Sequence, residues 1–176
     1  LIKYICVLMC FLAAMFSLSN AGYAENIPSE RQLDRVVDNA KLLTDDEKSQ
    51  LLDKVNEISE RQQCDVAIVT VQSLDGKTAE AYADDFFDYN GYGIGSKKDG
   101  IIFLLSMKER KWAISTHGYG ITAFTDAGQE FIMDNVQPLL SDGDYNEAFT
   151  EFVTECDDYI TQAKTGEPYD SNNMPS

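Results

Sequence analysis

An α/β domain built on a mixed sheet of about four strands is the fold this sequence predicts, and three observations carry it. The runs "CDVAIVTV" (64–71) and "GIIFLLS" (100–106) are too continuously apolar and β-branched for one-sided strands. Both should be buried on two faces, as central strands of layered α/β proteins are. Between them, "KTAEAYADDFFDYN" places Ala79, Tyr82, Ala83, Phe86 and Phe87 on one helical face. Strand, helix and strand in that order imply parallel neighbours joined by a right-handed crossover. After the second run only "MKER" precedes the alternating "KWAISTH", so the next strand turns back as a hairpin and lies antiparallel.

The remaining elements follow from caps and periodicity. Thr44 with Glu47 three residues on is a capping box, and Leu51, Leu52, Val55 and Ile58 follow at helical spacing, predicting a helix over 45–62. "RVV" before it reads as a short strand parallel to the first core strand. Thr125 caps a helix carrying Phe131, Ile132, Val136, Leu139 and Leu140. Asp144, with Glu147 completing a second box, opens a last helix whose stripe is Phe149, Phe152, Val153, Cys156, Tyr159 and Ile160. Polar residues 25–34, with Pro28, read as a linker, and 165–176 as a flexible tail or linker. The domain proper spans 35–164.

Residues 1–24 differ in kind. Lys3 followed by "YICVLMCFLAAMFSLSNAGYA" has the basic start, apolar centre and small residues of a secretory signal peptide, or of an uncleaved N-terminal anchor. Either places the domain outside the cytosol, in the cell envelope or beyond. Cleavage after Ala24 would remove Lys3 and no acid, taking the net charge from −16 to −17. So acidic a protein is a poor partner for nucleic acid or an anionic membrane surface and a fair one for cations or basic proteins. Solubility alone would also explain the charge. Cys64 and Cys156 remain in the mature chain; they can pair in an oxidising compartment, while a buried thiol is the ordinary reading of Cys156 in its apolar stripe.

The hairpin topology gathers chemistry at one end of the sheet. Asp99 opens the second core strand, and the returning strand ends beside it at His117, Gly118, Tyr119 and Gly120. Asp126 follows six residues later, so Asp99, Asp126, Lys97, Lys98, His117 and Tyr119 share a neighbourhood. Loop carboxylates beside glycine-exposed carbonyls suit a hard cation, calcium above all. Taken singly, Asp126 is also at home at its helix N-terminus and Asp99 in a turn.

Several motifs are excluded by context. "NGYGIGSKKDG" (90–100) follows a helix and precedes a strand, the reverse of a phosphate-binding loop, and has Ser96 before Lys97, so no nucleotide cofactor is implied. "DGDYNEAF" starts like a calcium-binding helix-loop-helix, but Glu147 occupies the glycine place and Val153 the final glutamate place. His117 is the only histidine, and Ser115 two residues before it carries no nucleophile elbow.

The order of segments, above all "RVVDNAKLLT", "DVAIVTVQSLDGKTAEAYADDFFDYNGYGIGSKKDGIIFLLS" and "ERKWAISTHGYGITAFTD", resembles the TPM-domain family over Arg35 to Lys164. That family includes exported bacterial envelope proteins, a thylakoid-lumen protein of photosystem II repair and a nematode modulator of acetylcholine receptors. The resemblance implies a three-layer α/β/α Rossmann-like sandwich and an exported or membrane-tethered domain. It also implies a divalent-cation site, calcium foremost, at positions matching Asp38, Asp99 and Asp126, and envelope or membrane proteins as partners. The alternative it carries is a metal-assisted acid phosphatase, with Lys97 or Lys98 offsetting negative charge. Asp38 should leave its strand at the sheet end opposite Asp99. Thr122 stands where the family usually has an acid.

Overall fold

The computed structural model describes residues 27–175; the expected signal peptide or anchor lies outside them. Strand β1 (Val36–Asp38), helix α1 (Asp45–Gln62), β2 (Asp65–Val71), α2 (Ala79–Tyr89), β3 (Gly100–Ser106) and β4 (Lys111–His117) are followed by the short α3 (Gly120–Ala123), then α4 (Asp126–Asp142) and α5 (Tyr145–Thr165). The sheet order is β1-β2-β3-β4, with the first three strands parallel and β4 antiparallel to β3. Every residue of β2 and β3 is buried, as their apolar runs require.

Alternation along these strands divides the core. Val66, Ile68, Ile101 and Phe103 face α1, α4 and α5, and the large aromatic stripe of α5 fills that layer. Ala67, Val69, Ile102 and Leu104 face Ala79, Ala83 and Phe87 of α2 on the other side. This is the three-layer sandwich expected. The α1 and α2 crossovers advance the same way across the sheet on opposite faces, so only one of them has the usual right hand.

Helix ends follow the sequence with one exception. The Thr44–Glu47 box forms in both directions, and Thr125 accepts from the Gly128 amide. Asp144 makes no side-chain cap: its ψ of 59° is not extended, which turns the carboxylate away from the first-turn amides. Gly143, at φ 87°, instead ends α4 by donating to the carbonyls of Leu139 and Leu140.

Two segments expected to be detached are held. Residues before β1 lie on the 90–100 loop, where Gln32 donates to Asn90 and the Tyr92 hydroxyl to the Asp34 carbonyl. After α5 the chain returns so that the Tyr169 ring meets Tyr159 edge-on at 4.9 Å and its carbonyl accepts from Thr125 Oγ1. The Tyr169 ring packs partly buried against the core, and the Tyr159 hydroxyl also reaches Met174 of the tail. Cys64 and Cys156 are free, buried thiols, and burial pushes the Cys64 pKa up to about 12.

Candidate functional site

The loops before β3 and after β4 meet as a rim beside the start of β3, and Asp99 joins them. Its backbone pairs with Ile94 in both directions and accepts from the Asp65 amide, closing the 90–100 loop. Its Oδ1 accepts from the Tyr119 amide at 2.6 Å, tying that loop to the one after β4. Gly118 makes the approach feasible: at φ 54°, a Cβ there would sit 2.2 Å from Asp99 Oδ1. Among the described residues no hydrogen bond reaches Asp99 Oδ2.

Beneath the rim lies an ion pair that sequence reading missed. Arg35, buried just ahead of β1, donates from Nε to Asp65 Oδ1 at 2.6 Å, and also reaches Asn56 and Glu60. Asp65 Oδ2 accepts from the Gly93 amide at 2.7 Å, so the pair grips the glycine loop from below. Burial lowers the Arg35 pKa, but the Asp65 and Glu60 carboxylates outweigh that and leave it raised. A charged residue abutting each apolar run, Arg35 before "VV" and Asp65 before "VAIVTV", was the available signal.

The other rim residues have other occupations. Lys98 reaches the Ser29 carbonyl at 3.0 Å, while Lys97 is exposed. The His117 ring stacks on Phe87 with centroids 3.8 Å apart and planes 2° from parallel. Its Nε2 lies 2.9 Å from Ser115 Oγ, whose proton goes to Asp84 at 2.5 Å. The serine thus accepts from the imidazole, the reverse of the proton path that activates a nucleophile. Burial lowers the His117 pKa, against the smaller opposing pull of Asp88 and Asp84.

Asp126 is the exposed first residue of α4 and faces a groove shared with Trp112. Asp38 is at the far end of the sheet from Asp99, as expected. There it accepts from the Leu42 and Leu43 amides and from the Thr70 hydroxyl, with both oxygens engaged. Among the described residues no three His, Cys, Asp or Glu side chains gather as an ion cage. Asp38, Asp99 and Asp126 thus do not gather: Asp38 lies at the other sheet end, and among the described residues no hydrogen bond joins Asp126 to Asp99.

Comparison with known proteins agrees with this architecture. The family model described as the TPM domain matches residues 36–159. The solution structure of an N-terminal domain of a P. gingivalis protein superposes with a TM-score of 0.66 at 20% identity, covering 83% of this chain and 96% of that one. The N-terminal domain of the cg2496 protein from Corynebacterium glutamicum gives 0.59 at 17%, covering 85% and 95%. The BA42 protein of the psychrophilic bacterium Bizionia argentinensis gives 0.60 at 11%, covering 75% and 88%. No curated protein matches the chain.

Proposed function

Since the chain belongs to the TPM-domain family, we propose that it is an exported, non-enzymatic cell-envelope module that binds a divalent cation and protein partners in the assembly or maintenance of membrane complexes. Asp99 carries the cation reading: one oxygen holds the Tyr119 amide, and among the described residues no hydrogen bond reaches the other. With Asp126 as the only other carboxylate assigned to it, the site has a low ligand charge, which suits calcium at extracellular concentrations, with a Kd of about 1 mM. The ion would bridge the two loops and stiffen the rim. No hydrolytic step is assigned to it. Ser115 and His117 are oriented against nucleophile activation, and the net charge of −16 repels phosphate esters.

Calorimetric titration of the full chain with calcium and with magnesium tests this reading. A calcium heat that vanishes in Asp99→Ala and weakens in Asp126→Ala supports it, whereas identical titrations in all three refute it. Metal-dependent phosphomonoester turnover by the wild type that is lost in Asp99→Ala would establish the phosphatase instead.

A further inference from the structure

Strand β4 ends the sheet, and among the described residues no hydrogen bond reaches its outer backbone edge. An edge of this kind presents a row of donors and acceptors able to pair with another extended chain. Two acidic stripes flank it. On the α2 side, Glu80 acts electrostatically on Lys111, Asp84 accepts from Ser115, and Asp88 acts on His117, in step along the strand. On the α4 side, Asp126, Glu130 and Asp134 line a groove with Trp112. Each set has four-residue spacing and so forms one helical stripe, about 12 Å long at about 1.5 Å per residue. That is the length of roughly four residues of strand.

The groove between β4 and α4 also offers the Trp112 ring among mixed polar and apolar neighbours. Its two parts, of about 450 and 290 Å³, share Trp112 and Gln137; the larger holds the acidic stripe, and the smaller continues past Arg110 to Leu140 and Tyr145. Trp112 is 37% exposed, a large aromatic surface left to solvent beside an open sheet edge. We infer that β4 is a docking edge for an extended, basic segment of a partner protein, which adds as a fifth strand between the two acidic stripes and places an apolar side chain against Trp112. Alternate residues of an added strand point to opposite faces, so the segment carries Lys or Arg on both. A second copy of this chain is the wrong occupant, because pairing two β4 edges would bring four acidic stripes together. The inference deepens the protein-binding half of the proposed function and is independent of the cation.

Trp112 is the only tryptophan, so its emission reports occupancy directly. The full chain is titrated, in the presence of chelator, with the capped peptide RKVKRVKR and with RKPKRPKR, which has the same charge but lacks one ladder donor in whichever register it pairs. Amide exchange is followed by NMR. The expected result is a saturable emission change with slowed exchange in 111–117, weakening as salt rises. Binding should be at least about tenfold weaker for the proline peptide. It should also be about tenfold weaker for the Glu130→Lys, Asp134→Lys double variant, whose exposed positions leave the fold intact. Equal affinity for both peptides, or binding without slowed exchange in β4, would overturn strand addition in favour of plain charge attraction. Slowed exchange from self-association alone would assign the edge to a second copy and overturn it too. Failure of both peptides to bind would overturn the inference and leave the calcium titration standing on its own.

Discussion

Asp38 and Asp99 hold loops at opposite ends of the same sheet, and they differ in what they leave over. Asp38 spends both oxygens, on Leu42, Leu43 and Thr70, and so ties residues 39–43 to the sheet. Asp99 spends one oxygen, on Tyr119, and its loop is braced from beneath by Arg35, Asp65 and Gly93. A carboxylate fully satisfied by its own chain has little to offer a cation; one half satisfied in a rigid frame does. The proposed cation reading therefore rests on Asp99 and not on Asp38.

The largest effect should come from the brace. Arg35→Met leaves Asp65 buried and unpaired, costing about 3–5 kcal/mol in denaturant unfolding and loosening the Asp99 loop with it. Asp38→Ala strands two amides and a hydroxyl at the other end and should cost about 1–3 kcal/mol without touching the rim. Asp99→Asn keeps an acceptor for Tyr119, so it should fall within about 1 kcal/mol of wild type. A larger loss there would mean the charge itself is structural and the contrast is false.

The smallest effect is one of pH. Burial holds the His117 pKa below its ordinary 6.5, so the unfolded chain binds the proton more readily. Its contribution to stability is complete above about pH 6.5 and declines as pH falls below that toward the folded-state value. His117→Gln should flatten this slope in urea midpoints between about pH 7 and 5, and an unchanged slope would reassign it to the carboxylates.

What could be read without coordinates was whatever is local. The strands at 100–106 and 111–117 and the helix at 45–62 appear with the bounds their runs and caps predict, because periodicity and a Thr-x-x-Glu box are decided within a few residues. The same pattern at Asp144 failed because its ψ is set by the αL ending of the helix before it, which the pattern does not encode. Arg35–Asp65 spans 30 residues and the Tyr169 contact joins tail to core, so both depend on tertiary distance. The hairpin correctly brought Asp99 beside "HGYG", yet only geometry distinguishes one spent oxygen from two.

The most direct test is a calcium titration followed at the Tyr119 and Leu43 amides by ¹⁵N NMR, in wild type, Asp99→Asn and Asp38→Asn. The expected result is that calcium moves Tyr119 and not Leu43 in the wild type, that Asp99→Asn abolishes the response, and that Asp38→Asn retains it. A response in Asp99→Asn equal to wild type, or one centred on Leu43, would contradict it.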